Sequence, residues 1–459
     1  MIRWLRVRLR YLCLSIALLA SGLAWAQAPR PATNVQVNAA LSGGTTCGVS
    51  VTCWYVRPNG GTYGSENGTS WANAYDGFSD INWAADVDAG DVVCVAGGTY
   101  TQNLSIGDSG TSGNPITIRR AYASAADCGS GTAGWSSSFD SLISQTDVTI
   151  LLNSNDFITI SGKPSSNPTL WNEYGWKLSF TQTPGNGIED PGTATNVRFD
   201  HMEIQGPDCR GSCLDATRGF DITPFSTGAS NWVLSHMSIH GWPTPVYLGG
   251  ADNFTLEYSD LYDVFGSGSD HPQFLYICDA DIGVLRHNRF RNSEPSGTGI
   301  AFSDAGSPQF CHWLNWQIYS NLCFGNDVGG GGTCIDSQEA AISGLKVYNN
   351  TFWSNGTNCT FEMGSTGSES KNNLIFGTGG SCTLNTNANN VTASSNPFVN
   401  SGASNLHIIS TIAANFPRNA GGNLGSTWQI DIDGCTRGND GTWDAGAYEY
   451  QATPGTCGP

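Results

Sequence analysis

The stretch Gly344–Gly356, "GLKVYNNTFWSNG", decides how this chain folds. Val347, Tyr348, Thr351, Phe352 and Trp353 are strand formers, yet Asn349 and Asn350 stand side by side among them. Asparagine is depleted from strands because its amide competes for backbone hydrogen bonds. Two in mid-strand need a reason.

The same cadence recurs upstream in "NVRFDHMEIQG" (196–206), "NWVLSHMSIHG" (231–241), "NFTLEYSDLYD" (253–263), "IGVLRHNRFRN" (282–292) and "NWQIYSNLCFGN" (315–326). A degenerate copy, "SKNNLIFGTGG", follows at 370–380. Each full copy carries an apolar residue: Phe199, Leu234, Leu256, Leu285, Ile318 or Val347. Three positions later the later copies place Asn288, Asn321, Asn350 and Asn373. Copies return every 22 to 35 residues, with the variation held in Gly/Ser-rich loops. A fixed core with elastic loops marks a solenoid. Weaker matches, "NDFITISGK" (155–163) and "WKLSFTQT" (176–183), read as two further coils.

Parallel strands stacked at roughly 4.8 Å put equivalent residues of successive coils directly above one another. An asparagine at a bend then bonds the asparagines above and below, and the stack satisfies amides that would be costly to bury alone. Asn350 reads as such a ladder residue, with Asn349 in the neighbouring column. About ten coils make a rod of roughly 50 Å.

This pattern resembles the right-handed parallel β-helix of pectate-lyase-like proteins. The stretch 54–121, with "WYVRPNGG", "DAGDVVCVAGGTY" and "GNPITIRRA", looks like the opening module of secreted β-helix proteins. The stretch "DIDGCTRGNDGTWDAGAYEY" (431–450) resembles the closing module of choice-of-anchor Q proteins. Arg437, Asp444, Gly446, Ala447, Tyr448 and Glu449 match it, and Ala445 replaces the usual isoleucine. Arg437, Asp444 and Glu449 read as a buried cap network rather than as catalysts. The expected fold is all-β, a right-handed parallel β-helix over 47–450, with a tail at 451–459.

The N-terminus has a basic start (Arg3, Arg6, Arg8, Arg10), a short apolar run from Tyr11 to Leu19, and Ala24-Trp25-Ala26. That is the layout of a secretory signal peptide cleaved after Ala26, ahead of a flexible leader at 27–46. The expected location is extracellular or periplasmic, with no membrane span. Removing four of the 20 basic residues leaves 16 against 38 acidic ones, a net charge near −22. Such a field repels nucleic acid and anionic membranes, and repels an acidic polysaccharide unless a cation or a local arginine patch intervenes. Of 15 cysteines, Cys13 leaves with the signal. The remaining order suggests the local pairs Cys47/Cys53, Cys94/Cys128, Cys209/Cys213, Cys278/Cys311, Cys323/Cys334, Cys359/Cys382 and Cys435/Cys457, although spacing alone leaves other connectivities open.

Chemistry on a solenoid belongs to its outward columns. One column reads Asp200, Ser235, Glu257, Arg286, Tyr319 and Tyr348; another reads Glu203, Ser238, Asp260, Arg289, Leu322 and Thr351. This register sets Glu257 beside Arg286 and Asp260 beside Arg289. The bland reading is two cross-coil salt bridges, worth about 0.2–1 kcal/mol each at a surface. The sharper reading is a polysaccharide site with Glu257, Asp260, Arg286, His287 and Arg289 as catalytic groups, and Arg291, Tyr319 and Tyr348 contacting sugar. In uronate elimination an arginine neutralises the substrate carboxylate and a base removes the α-proton. In hydrolysis two carboxylates flank the scissile bond. Elimination is favoured here, with Ca²⁺ as the implied cofactor at Asp260, Asp263 and Asp270.

His201, His236, Tyr258 and His287 share a third column that alternation points partly inward. The loop "SDHPQFLYICDAD" (269–281) adds Asp270, His271, Asp279 and Asp281. The Asn-Thr-Asp, Asp-Asp, Gly-His-Gly and Arg-Ile-Lys blocks of polygalacturonases are missing. The rival reading is a non-catalytic surface or adhesion rod.

Overall fold

The computed structural model describes Cys47 and residues 51–457, except 165–172, 182–184, 209–216, 224–227, 267–271, 295–296, 298, 304–310, 312, 327–331, 338–341, 362–365, 378–379 and 381. Three long sheets of 14, 11 and 9 strands run the length of the molecule. Each coil visits them in that order. Thr195–Asp200 lies in the 14-stranded sheet, Met202–Gln205 in the 11-stranded and Arg218–Ile222 in the 9-stranded, before Ala229–Ser235 returns to the first. Neighbouring coils pair in parallel. Roughly ten coils follow from these strand numbers, as the repeats predict.

The apolar positions become three internal columns. Ile118, Ile160, Phe199, Leu234, Leu256, Leu285, Ile318 and Val347 are successive rung partners in the 14-stranded sheet. Ile204, Ile239, Leu261, Phe290, Cys323, Phe352 and Ile375 do the same in the 11-stranded sheet. Ile188, Phe220, Val246, Leu275, Ile300 and Ile335 form the third column. All are buried, and each fully buried aliphatic or aromatic contributes about 1.5–3 kcal/mol.

The register corrects one expectation. Ile158–Ser161 and Trp176–Ser179 are not separate coils: they are the 14- and 11-stranded walls of a single coil. A longer connection there disguises the repeat.

The asparagine question resolves at the corner between these two sheets. Asn288, Asn321, Asn350, Asn373 and Asn390 form a chain of amide-to-amide bonds of 3.1, 3.0, 3.1 and 3.0 Å, buried up to the half-buried Asn390. Asn350 also donates to the Ile318 carbonyl (2.8 Å), and its Oδ1 accepts the backbone N–H of Asn321 (3.0 Å). Asn349 sits one column over in the left-handed conformation (φ 53°). That φ turns the chain within a residue, and asparagine tolerates it. The pair is a hinge followed by a rung.

Candidate functional site

The hinge column runs His201, His236, Tyr258, His287, Ser320, Asn349, Asn372 and Asn389, all with φ between 49° and 57°. The residue that follows each hinge turns inward, so the hinge side chains line the outside of the corner. His201, His236 and Tyr258 are half-buried in this column, and His287 is buried. His201, His236 and Tyr258 stack at centroid spacings of 4.5 and 5.2 Å, and His287 follows tilted at 4.8 Å. Burial and the neighbouring His201 pull the His236 imidazole down to about 4.

Glu257 and Arg286 meet as the register predicts, with Arg286 Nε 2.9 Å and Nη2 2.5 Å from Glu257 Oε2. Burial opposes ionisation of Glu257, but the guanidinium outweighs it and holds the carboxyl below its usual range. Arg286 Nη1 also donates to the Tyr319 hydroxyl (3.2 Å). Asp260 is the rung partner of Arg289, yet its ion pair is with Arg291, whose Nη2 and Nε lie 2.9 and 3.0 Å from it. A long side chain two residues further on reaches back diagonally, while Arg289 lies 5.7 Å from the Phe324 ring. Arg291 also lies 4.0 Å over Tyr262, which stacks on His240 at 4.5 Å. Below them Glu203 accepts from His240 Nε2 (3.0 Å) and pairs with Lys177 Nζ (2.9 Å). Burial raises the Glu203 carboxyl, but His240, Lys177 and Tyr174 together bring it to about 2.

The upper part of this wall is covered. Residues 417–450 cross it as a strap. Ile430 O accepts from His287 Nε2 (3.3 Å) and Ser320 Oγ (3.4 Å), and Asn349 Nδ2 donates to Trp428 O (3.5 Å). Asn372 exchanges two bonds with Gly422, at 2.8 and 2.9 Å. Ala447 N donates to Thr351 Oγ1 (2.9 Å) and Arg437 Nη2 to Ser320 Oγ (3.3 Å). His287 is 4% exposed, and burial with Arg286 close by lowers its imidazole to about 3. Tyr319 and Tyr348 are 3% and 2% exposed, with Leu424 and Trp428 packed against them. A sugar chain reaches none of these rings unless the strap lifts.

Inside the strap, Arg437, Asp431, Asp444 and Glu449 are buried together. Asp431 accepts the backbone N–H groups of Asp433, Cys435 and Glu449; Asp444 those of Asn419 and Tyr450; Glu449 those of Gly438 and Asp444. Burial raises Asp431 and Asp444 to about 6, and burial with Asp444 nearby raises Glu449 to about 7.

Both oxygens of Asp260 face Arg291, Asp263 accepts from Asn292 Nδ2, and Asp270 and His271 lie outside the described residues. Among the described residues no three His, Cys, Asp or Glu side chains gather as metal ligands.

The 9-stranded sheet is built differently. From His201 onward the hinge corner spends one or two residues between strands, whereas over the same coils the connections flanking this sheet reach twelve (206–217) and fourteen (303–316). Long loops beside a rigid sheet are where binding groups collect. Its outward column reads Glu189, Asp221, Tyr247, Tyr276, Ala301 and Asp336 on successive rungs. Arg218 lies over the Tyr247 ring, 3.5 Å from its centroid, and donates to Asp221 Oδ1 (2.8 Å), while Asn186 Nδ2 holds Oδ2 (2.9 Å). Tyr247 stacks on Tyr276 at 4.6 Å. Burial raises the Tyr247 phenol, with Arg218 opposing.

No protein-family model matches the sequence, and no curated protein does. Solved structures do match. The pectate lyase Pel9A superposes with a TM-score of 0.54 at 15% identity, over 89% of this chain and 98% of its own. The fold is a pectate-lyase-like parallel β-helix. A rhamnogalacturonan lyase matches at TM-score 0.46 and 11% identity, over 80% of this chain and 96% of its own. An alginate lyase from Paenibacillus sp. str. FPU-7 matches at 0.42 and 15%, over 68% and 97%.

Six of the expected disulfides staple this β-helix: Cys47–Cys53, Cys94–Cys128, Cys278–Cys311, Cys323–Cys334, Cys359–Cys382 and Cys435–Cys457. Cys209 and Cys213 lie outside the described residues. No helix among the described residues is long and apolar enough to cross a membrane. The disulfides fit an exported chain. The group that sequence reasoning missed is Glu189, Arg218, Asp221 and Tyr247. Alternation in "RGFDI" and "TPVYLG" carries the signal, but no asparagine marks those strands as repeats.

Proposed function

We propose that this β-helix binds an acidic polysaccharide along its 9-stranded sheet and cleaves it by β-elimination. The observation that carries the reading is Arg218, laid on Tyr247 beside Asp221 and Glu189, on the sheet that the twelve-residue connection 206–217 flanks. The fold likeness to a pectate lyase supports it. The Arg218 guanidinium would face the uronate carboxylate and stabilise the negative charge that develops as the α-proton leaves. Glu189 would accept that proton as the carbon–carbon double bond forms. The Tyr247 phenol, kept protonated by burial, would donate to the departing glycosidic oxygen. No step runs through calcium.

The test is ultraviolet absorbance of unsaturated product, with glycan affinity measured alongside, on uronate and neutral polymers. Arg218→Ala should weaken binding at least tenfold and abolish product. Arg286→Ala should lower the melting temperature and leave binding intact, because Arg286 holds Glu257 beside the strap. Binding to uronate polymers without product would remove the elimination step. No binding to any polymer would leave the adhesion rod.

A further inference from the structure

We propose that the polymer taken by the 9-stranded sheet is a heteropolysaccharide in which single uronates are separated by neutral sugars, and not a homopolymer of uronate. The inference rests on the glycan reading of that sheet, and the charges along the sheet carry it.

The nine strands of this sheet hold one cationic side chain, Arg218, with no lysine and no histidine. Arg218 Nη1 is taken by Asp221 Oδ1 (2.8 Å). Its Nε and Nη2 meet no acceptor among the described residues, which leaves that edge of the guanidinium for one carboxylate.

A sugar unit is about as long as a coil is thick, roughly 4.8 Å. A chain lying along the sheet therefore meets about one rung per unit. With one uronate carboxylate on Arg218 at the level of Tyr247, the units below lie against Asp221 and Glu189, rung partners in successive coils. Asp221 already has its cation in Arg218, and Glu189 pairs with none among the described residues. The units above lie against Tyr276, Ala301 and Asp336 in turn. A second carboxylate on either side thus finds a phenol, a methyl group or another carboxylate, and no cation. At the separation of one rung, like charges repel appreciably even in water. The excess of 38 acidic over 20 basic residues adds a field of the same sign. A neutral unit meets the same surfaces without that repulsion, and its hydroxyls can donate to Glu189.

The test is calorimetric titration of the whole protein, at low salt, with two oligosaccharides of equal length. One is all uronate, and the other alternates uronate with a neutral sugar. The alternating chain should bind about tenfold tighter, and the gap should narrow at high salt as the repulsion is screened. Glu189→Gln should also narrow the gap, by raising the affinity for the all-uronate chain about threefold. Thr244→Lys places a second cation one rung from Arg218, at a half-buried position, and should raise all-uronate affinity about tenfold. Circular dichroism should be unchanged in both variants. All-uronate binding as tight as alternating binding in the wild type would overturn this inference and leave the glycan reading standing. Binding of neither chain would overturn both.

Discussion

The two halves of the hinge corner use one backbone device and opposite side chains. Below, where solvent lies outside, the hinge residues are rings that shield one another's faces: His201, His236, Tyr258. Above, where the strap crosses, they are Ser320, Asn349 and Asn372, whose hydroxyl and amides bond the strap's backbone. His287 belongs to both, tilted under Tyr258 and donating to Ile430. The lesson is that the left-handed φ admits a few residue types, and what covers the corner chooses among them.

The largest expected break of this contrast is Asn321→Ala. It orphans the Asn288 backbone N–H, and it takes one bond each from the Asn288 amide, the Leu285 carbonyl and Asn350, all buried. Unfolding in denaturant should show a loss of about 3–4 kcal/mol, at about 1–3 kcal/mol per orphaned buried group with partial relaxation.

Gly446→Ala comes next. Gly446 has φ 105°, and an added Cβ would meet Thr351 Oγ1 at 2.8 Å and Leu374 Cβ at 2.9 Å. A loss of about 2–3 kcal/mol is expected from strain and clash. Amide exchange should rise across 417–450 while the asparagine ladder stays protected; equal loosening of both would mean the strap and coils are one cooperative unit.

The halves should also respond oppositely to pH. Glu449, Asp444 and Asp431 have folded pKa values above their ordinary ones, so their contribution is fully present in acid and is lost as pH rises through about 6–7. Glu203 is displaced downward, so its contribution is present above about 4.5 and is lost as pH falls toward 2. Strap protection should therefore fall between about pH 4 and 7, with Glu449→Gln flattening the upper part of that slope. Glu203→Gln should instead flatten the acid limb. The smallest effect belongs to Tyr258→Asn, which suits the hinge and removes two ring contacts, for about 1 kcal/mol.

Periodicity made the coils legible, and direct rung neighbours came with them: Glu257 meets Arg286 because both sit on the same column one coil apart. Asp260 did not follow, because a rung position fixes a Cα and leaves an arginine free to reach two residues sideways to it. The strap was invisible as a cover. Arg437, Asp444 and Glu449 could be read as a cap, but nothing periodic tells a non-repeating segment where to lie, so Tyr319 and Tyr348 looked open when they are sealed. The face of the 9-stranded sheet was missed for a related reason: its strands turn on long connections that need no asparagine, so they carry no punctuation to align.

The strap is also a gauge of length. It touches the hinge column at His287, Ser320, Asn349 and Asn372, four consecutive coils, through groups whose spacing is set by its own backbone. Inserting or deleting a whole turn below His287 leaves that measure untouched, so the rod can grow or shrink there at its N-terminal end. A turn added between His287 and Asn372 would put the fasteners out of step with the holes, which fixes the coil number in that stretch far more tightly than hydrophobic stacking alone would.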